Sequence, residues 1–338
     1  MLLKSTPTVE ILPTMIADIS TPKNSTVRRT ADRLEPTIFH ERWWLDIATD
    51  GKCQFVEVVD NLRVIARLPY LAKRQHGFTL VHMPPLTHFL GPAIDDGGGK
   101  DNKRFLRRLD VARELIERLP PSSSCYIKCH RGATDILAFQ NQGFRSAVQF
   151  THEVHPQPVD AVWKGMRDKG RNGIRVARNF LNVDYDLTAM DFTSFYNSNL
   201  ESVGERNSLD MRVVGSLIEA ALSKKRGALF GARDKAGHLT ALIFCVWDGS
   251  SYYYLMATRT TTAHRGSISL LLWEAISDAM RRGLIFDFDG IINEGGARLA
   301  ANFTPTVSPR YIATRESKAM RFWRAFQALR QEPNYFCQ

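Results

Sequence analysis

The order of apolar and polar positions along the first half of the chain predicts alternating helices and strands. Apolar residues recur at helical spacing from Phe39, and they alternate or cluster over short runs after it. Asp60-Asn61 separates two of these runs and is typical of a hairpin turn. The predicted elements are a helix from Phe39, strands 54–59, 63–71 and 79–82, helix 103–118, strand 125–129, helix 134–142 and strand 146–150.

The second half repeats this order of elements, although not its residues. Its predicted elements are helices 159–180, 189–202 and 209–222, strands 228–233, 239–247 and 252–256, helix 267–281, strand 284–288, helix 293–303, strand 311–314 and helix 316–330. Such a repeat indicates duplicated domains. We predict a flexible lead-in at 1–35, a first domain at 36–155, a second domain at 156–315 and a C-terminal helix at 316–338 that packs back on the domains.

The lengths of the connections predict the topology of each domain. Short turns make the three-strand meander antiparallel, and the helix that follows it makes the next strand parallel to the last strand of the meander. The predicted fold class is therefore α/β, with two domains in tandem, each a mixed and mostly antiparallel sheet flanked by helices.

Composition narrows the functional classes. The 338 residues include 45 Lys and Arg against 35 Asp and Glu, a formal charge of +10, and 44% are apolar. These values exclude a disordered chain, a collagen and a coiled coil. No apolar run approaches the roughly 20 residues of a membrane-spanning helix, and the start lacks the apolar core of a signal peptide. We therefore expect a cytoplasmic protein that is not integral to a membrane. Its charge favours an anionic partner or serves only solubility.

The cysteines do not form a recognisable framework. They are five in number, an odd count spread over predicted strands, which argues against disulfides: Cys53, Cys125, Cys129, Cys245 and Cys337. Cys125, Cys129 and His130 have the spacing of half a metal site, but the sequence offers no second half. We predict no metal.

Three segments of the second half carry a resemblance to known acyltransferases. The first, 163–178, places a tryptophan and an arginine before Ile-Arg-Val-Ala. The second is Gly266-Ser267 with the helix after it, and the third is Phe286-Asp287-Phe288-Asp289-Gly290, followed by Glu294-Gly295. With the order of elements, they resemble the GNAT acyltransferase fold. Two such units in tandem resemble the Fem family of aminoacyl-tRNA-dependent transferases and the BioF2-like acetyltransferase domains. The resemblance covers about 155–305, and the first half matches only in pattern.

The resemblance implies a donor, an acceptor and tandem GNAT-like domains. The donor would be aminoacyl-tRNA or acyl-CoA, with no cofactor bound permanently. The acceptor would be an amine-bearing small molecule or a cell-envelope precursor. The duplication and the basic charge favour tRNA, whereas the stretch 300–304 lacks a lysine that tRNA-dependent members often carry before the final strands.

The 286–290 segment holds the candidate catalytic residues. Alternation along a strand turns Asp287 and Asp289 to one face. Two neighbouring carboxylates raise each other's pKa, which suits a base that takes a proton from an attacking ammonium. One of them can instead cap the next helix. A haloacid-dehalogenase motif is disfavoured because Ile291 stands where that motif has threonine, and a glycosyltransferase Asp-x-Asp metal site remains an alternative. GNAT enzymes often protonate the leaving group with a tyrosine, which here implies Tyr254, although core packing explains a tyrosine equally well.

Two basic segments are candidate phosphate sites. One follows Trp163 and continues at helical spacing; with Glu294 it supplies the predicted substrate- or phosphate-binding residues, Trp163, Lys169, Arg171, Arg175 and Glu294. Gly170 and Gly173 are expected to interrupt its helix, and a solvated helix face is the alternative reading. The other is Arg265-Gly266-Ser267, where a helix amino end offers free N–H groups. It departs from the GNAT coenzyme A loop because Ala263 replaces Gln or Arg and Ile268 replaces the second glycine.

These observations favour a transferase that forms an amide bond, moving an aminoacyl group from aminoacyl-tRNA to an amine by direct attack. Two alternatives stay open. One is an acyl-CoA-dependent N-acyltransferase on the same fold. The other is a binding protein of GNAT fold without catalysis.

Overall fold

A computed structural model describes residues 34–134, 136–289 and 294–330. The helices in these ranges are α1 Arg42–Thr49, α2 Asp101–Glu117, α3 Leu137–Asn141, α4 Val159–Gly165, α5 Asp168–Phe180, α6 Ala189–Ser202, α7 Met211–Ser223, α8 Ser267–Arg281, α9 Glu294–Ala300 and α10 Lys318–Arg330. The strands are β1 Gln54–Asp60, β2 Arg63–Gln75, β3 Phe78–His82, β4 Ala93–Ile94, β5 Ser124–Lys128, β6 Arg145–Val154, β7 Asn182–Asp184, β8 Gly227–Arg233, β9 Leu239–Trp247, β10 Ser251–Arg259, β11 Ile285–Asp287 and β12 Thr306–Glu316. Two 3₁₀ turns lie at Ile38–His40 and Ala301–Phe303. The predicted lead-in lies outside the described residues apart from its last two, and so does the end of the predicted C-terminal helix, 331–338.

The described strands form one twelve-stranded sheet. Its order is β1-β2-β3-β5-β12-β6-β11-β10-β9-β8-β7, and β4 pairs with β2 beside this path. Neighbouring strands are parallel at β3–β5 and β10–β11 and antiparallel elsewhere. Each parallel pair is connected through a helix, α2 or α8, as a parallel crossover requires. The predicted fold class, an α/β protein of GNAT-like units with a mixed, mostly antiparallel sheet flanked by helices, is confirmed.

The two units exchange their last strands. In each unit a parallel pair is followed by a helix and a final strand, which is β6 in the first unit and β12 in the second. However, β6 pairs with β11 of the second unit, β12 pairs with β5 of the first, and β6 and β12 pair with each other. The sheet therefore continues across the predicted boundary at residue 155, and the units join where their parallel strands end.

Helices on both faces of the second unit hold these strand ends in place. On one face α8 buries most of its apolar positions, including Leu270, Leu271 and Ile276, each 0% exposed. Burying one such side chain contributes about 1.5–3 kcal/mol. On the other face α6 and α7 bury Phe192 and Leu217. The strands between them are apolar on both sides, so a charged residue at their ends stands out.

The helix predicted at 159–180 is two helices, α4 and α5, because the two residues between them are extended. The expectation that Gly170 and Gly173 interrupt the helix is wrong, since both lie inside α5. Gly170 serves packing instead: a Cβ there would lie only 2.8 Å from the Cβ of Asn302. The missing side chain lets α5 approach the Ala301–Phe303 turn.

Helix α10 packs against the turn between β2 and β3. The Trp323 ring lies 5.4 Å from the His76 ring and 5.5 Å from the Phe78 ring, centroid to centroid, and Met320 is buried. None of the helices in the described ranges combines the length and the apolarity that crossing a bilayer requires.

Candidate active site

Charged residues gather where the two units join, in the middle of the sheet. Four stand on the strands that meet there, and two lie on loops beside the strand ends. We call these residues the junction cluster: Lys128 of β5, Glu153 of β6, Asp287 of β11, Arg310 of β12, and the loop residues His88 and Asp289. Buried charge is costly unless it is paired. A cluster of this kind is therefore a candidate for function.

Arg310 links the two strand carboxylates of the cluster. Its Nη2 donates to Asp287 Oδ2 at 2.9 Å and also to Glu153 Oε1. The side chain is 3% exposed, and its guanidinium carbon lies 5.3 Å from the centre of the Phe89 ring. Such a pair offsets its desolvation only with further hydrogen bonds. Thr151 and Ser308 supply them, since their hydroxyls donate to Asp287 Oδ1 and Glu153 Oε2.

The two carboxylates respond differently to this environment. Burial raises the pKa of Asp287 above its ordinary 3.8, although Arg310 and the Thr151 hydroxyl act against it. Burial also acts to raise the pKa of Glu153, but Arg131 and Arg310 outweigh it, and the net pKa lies below the ordinary 4.5. The Arg131 guanidinium lies 2.8 Å from Glu153 Oε2. Glu153 is therefore the firmly ionised member.

Asp289 connects β11 to the loop that carries His88. Its backbone is left-handed, with φ 49°, which aspartate tolerates better than most residues. Its N–H donates to Asp287 Oδ1 at 2.9 Å, and its carboxylate Oδ2 contacts Nδ1 of the His88 imidazole. The His88 loop lies beside the end of β5 because the Leu90 N–H donates to the Lys128 carbonyl oxygen at 2.8 Å.

Lys128 completes the cluster at the end of β5. Its ammonium lies 4.0 Å from Asp289 Oδ1 and 4.9 Å from the centre of the Phe89 ring. Burial lowers its pKa, while the Asp287 carboxylate acts in the opposite direction. Lys128 therefore loses its proton more readily than a surface lysine, and it lies next to the Asp289 carboxylate, which contacts His88.

The structure brings Asp287 and Asp289 together but does not bring Tyr254 to them. Asp287 is the register partner of Tyr253 across the parallel pair. Tyr254 lies on the opposite face of the sheet, partly buried against an apolar cluster that includes Phe286. Burial raises the pKa of Tyr254 above its ordinary 10. Gly290, the last residue of the predicted motif, lies outside the described residues.

The predicted substrate- and phosphate-binding residues stand elsewhere, on α4, α5 and α9. Arg171 donates to the carbonyl oxygen of Lys164 at 2.6 Å and pairs with Asp168, so it holds α4 against α5. Arg175 lies over the Trp163 ring, 5.5 Å from its centre, and Trp163 packs on Trp273.

The two remaining members of that set are on the surface. Lys169 is exposed. Glu294 is 77% exposed and pairs with Arg298 one turn along α9. Neither contacts the junction cluster through a described ion pair or hydrogen bond.

The amino end of α8 is occupied by its own loop. The Gly266 N–H donates to His264 Nδ1 at 3.1 Å, and the Ser267 N–H donates to the His264 carbonyl oxygen at 2.9 Å. Ser267 is fully buried, and within the described chain its hydroxyl has no hydrogen-bond partner. Arg265 is exposed beside them. Of the three predicted cofactor-binding residues, the arginine is the one that a ligand can reach directly.

Sequence reasoning missed four cluster members: His88, Lys128, Glu153 and Arg310. The sequence contains a signal for two of them. Lys128 ends the apolar strand β5, and Glu153 occupies a buried position near the end of β6. A charged residue at an inward strand position is unusual enough to mark a site. His88 offers no such signal because it lies in a loop without a motif.

Comparison with known proteins places the fold in a recognisable group. Residues 164–298 match the family of acetyltransferase (GNAT) domains. A search of curated proteins finds no significant match.

Among solved structures, the chain is similar to the crystal structure of FemX, with 13% identity and a TM-score of 0.61 over 86% of this chain and 94% of that one. It is also similar to the C-terminal domain of a putative lysylphosphatidylglycerol synthetase from Agrobacterium fabrum, with 13% identity and a TM-score of 0.51 over 85% and 92%. A third similar structure is L-PGS from Bacillus licheniformis, with 12% identity and a TM-score of 0.50 over 85% and 90%. The resemblance to GNAT acyltransferases of the Fem type is thereby confirmed at the level of the fold.

Proposed function

We propose that this chain of GNAT fold is an acyltransferase that forms an amide bond. It moves an aminoacyl group from aminoacyl-tRNA to an amine by direct attack. The observation that carries the proposal is the junction cluster, in which buried carboxylates and cations lie beside the ends of β5 and β11, one strand from each parallel pair. An attacking ammonium must lose a proton before it forms an amide bond, and positioned carboxylate and imidazole groups are suited to accept it.

Direct attack is supported by the state of the thiols. The four described cysteines are buried. Burial raises the pKa of Cys53 and of Cys125 to about 11. A thiol with so high a pKa is protonated at neutral pH and is a poor nucleophile. A covalent thioester on these residues is therefore disfavoured.

The amino end of α8 favours aminoacyl-tRNA over acyl-CoA as the donor. The N–H groups of Gly266 and Ser267 already donate inside their loop. Gly266 is also packed against α5, where a Cβ would lie 3.0 Å from the Gly173 carbonyl oxygen. A pyrophosphate would have to displace these contacts. The exposed Arg265 and the net charge of +10 suit the phosphates of a polynucleotide.

The comparisons favour two candidate donors, aminoacyl-tRNA and acyl-CoA. Lysylphosphatidylglycerol synthetase, the name of the Agrobacterium neighbour, refers to a product that carries an aminoacyl group. The match to acetyltransferase domains favours acyl-CoA, which is the second candidate donor. We propose an amine-bearing small molecule or a cell-envelope precursor as acceptor, and a cytoplasmic location.

Donor binding by the purified protein distinguishes the two candidates. Charged tRNA, uncharged tRNA and acetyl-CoA are each titrated at two salt concentrations. We expect salt-sensitive binding that prefers charged tRNA, because contacts to phosphates weaken as salt rises. Arg265→Ala should weaken this binding. Arg63→Ala, which removes an exposed arginine near the far edge of the sheet, is the matched control and should not.

Two other results would contradict the tRNA proposal. Tight binding of acetyl-CoA with weak binding of tRNA would make the chain an acyl-CoA-dependent N-acyltransferase. Binding of neither donor would favour a GNAT-fold binding protein without catalysis.

A further inference from the structure

Within the junction cluster, accessibility separates the carboxylates from the residues at the opening. The side chains of Asp287 and Asp289 are 1% and 4% exposed. His88 is 24% exposed and Lys128 is 14% exposed. An acceptor amine that approaches the cluster therefore meets His88 before it meets either aspartate.

The imidazole of His88 is held in one orientation. Its ring is stacked on Phe39, with 5.7 Å between centroids and 10° between planes. Its Nδ1 contacts Asp289 Oδ2. Asp289 is itself fixed, because its N–H donates to the Asp287 carboxylate that Arg310 holds. This chain of contacts leaves Nε2 as the ring nitrogen that can face a substrate.

We propose that His88 is the general base of the transfer and that Asp289 is its positioning residue. The inference rests on the proposed function and changes the role expected for the aspartates. A carboxylate on Nδ1 fixes the tautomer of the imidazole and stabilises the imidazolium that forms when Nε2 takes a proton. Asp287 does not reach the substrate, and it positions Asp289.

The proton balance of the step is complete with this assignment. The acceptor ammonium first passes one proton through Nε2 of His88 to solvent. The neutral amine nitrogen then attacks the ester carbonyl carbon of the donor, so a C–N bond forms. Nε2 of His88 takes the proton that the nitrogen loses. The C–O bond to the ribose then breaks, and the imidazolium returns the proton to the departing hydroxyl oxygen. No oxidant, reductant or covalent enzyme intermediate is needed.

The surroundings of His88 favour the neutral base at pH 7. Burial lowers the pKa of His88 below the ordinary 6.5, and the Lys128 ammonium acts in the same direction, whereas the Asp289 carboxylate on Nδ1 favours the imidazolium. The charged groups that face the ring from the described elements are Lys128 at the end of β5 and Asp289 after β11, and Phe39 faces it from the 3₁₀ turn. The transfer rate should therefore stay flat on the acid side of pH 7 until His88 is protonated.

The test has one readout that does not depend on activity. Nitrogen-15 NMR of the full chain, with the His88 signals assigned by their loss in His88→Gln, reports the tautomer at pH 7. We expect neutral imidazole with the proton on Nδ1, and Asp289→Asn should shift the proton toward Nε2. An imidazolium at pH 7, or a wild-type proton on Nε2, would overturn the assignment whatever the transfer assay gives.

The second readout is single-turnover transfer to an amine from the donor that the protein binds. We expect His88→Gln to lower the rate constant by about 10²–10⁴-fold, the usual contribution of a general base, with the Kd of the donor unchanged. Asp289→Asn should lower it less and move its pH profile. His238→Gln removes a surface histidine that lies 3.3 Å from Asp234 and is the matched control.

The two proposals fail in different ways. Transfer by His88→Gln at more than half the wild-type rate would overturn the role of His88 and leave the proposed function standing. Failure of the wild-type protein to transfer to any amine, with the Nδ1 tautomer present, would overturn the proposed function and the base role with it.

Discussion

A single guanidinium, that of Arg310, serves two carboxylates whose pKa values move in opposite directions. The pKa of Glu153 is lowered and that of Asp287 is raised. The difference arises because Glu153 has a second guanidinium, from Arg131, whereas Asp287 has a hydroxyl and a backbone N–H. At pH 7 the ionised form of Glu153 thus stabilises the fold, and the ionised form of Asp287 costs free energy.

This asymmetry predicts unequal effects of two matched substitutions. At pH 7, Glu153→Gln should lower the free energy of unfolding by about 1–2 kcal/mol more than Asp287→Asn does. The contribution of Glu153 is present above its ordinary pKa of 4.5 and is lost as the pH falls through its folded pKa. Asp287 has the opposite pH dependence. Because its pKa is raised in the folded state, its protonated form stabilises the fold below pH 3.8, and that stabilisation is lost as the pH rises through the folded pKa.

Urea unfolding of both variants at pH 7 and near pH 4 measures the difference. The difference in free energy of unfolding between the two variants should be largest at pH 7 and should decrease as the pH falls below 4.5. An equal or greater loss of stability for Asp287→Asn at pH 7 would contradict the assignment of Glu153 as the firmly ionised carboxylate.

At the scale of elements, helix α5 contains two glycines in different surroundings. A Cβ on Gly170 would lie 2.8 Å from the Cβ of Asn302, whereas a Cβ on Gly173 would meet nothing within 4 Å. Gly170→Ala should therefore lower the free energy of unfolding by about 1–3 kcal/mol through overpacking. Gly173→Ala should raise it by about 0.5–1 kcal/mol because alanine favours a helix.

Thermal and urea unfolding of the two alanine variants give the signs directly. The substitutions are chemically identical and lie one helical turn apart, so each is the control of the other. Equal effects of the two would mean that α5 does not pack closely on the Ala301–Phe303 turn.

Elements with strong local patterns could be predicted from the sequence, whereas elements that depend on a distant partner could not. The helix predicted at 189–202 is α6, because its pattern and its capping box at Thr188 are local. The strand predicted at 311–314 is part of the longer β12, which extends through Pro309 because β6 pairs with it from Thr306 to Thr314. Local hydrophobicity does not contain that information.

The same reasoning explains which part of the site was predicted. Asp287 and Asp289 form a short motif, so the sequence alone predicts that they lie near each other. Arg310 and His88 join them through strand pairing and loop packing over long separations in sequence. Tyr254 lies on the opposite face of the sheet from Asp287, because the register partner of Asp287 across the parallel pair is Tyr253.

At the scale of the whole molecule, the exchange of β6 and β12 makes each unit depend on the other. β12 fills the position between β5 and β6, and β6 fills the position between β12 and β11. Neither unit has a complete sheet from its own residues, because each would present unpaired edges at its centre. The junction cluster draws on both units for the same reason.

The exchange predicts that the two halves do not fold separately. Fragments 34–155 and 156–330 should each lack a cooperative unfolding transition by circular dichroism, whereas the full chain should unfold in one transition. Refolding the fragments together at equal concentration should restore the spectrum and give a complex of the full-chain size on gel filtration, because the strand pairing does not require the connection at 155–156. A fragment 156–330 that unfolds cooperatively as a monomer would show that β12 is dispensable to its own unit. In that case, the junction would be an interface between finished domains rather than a shared core.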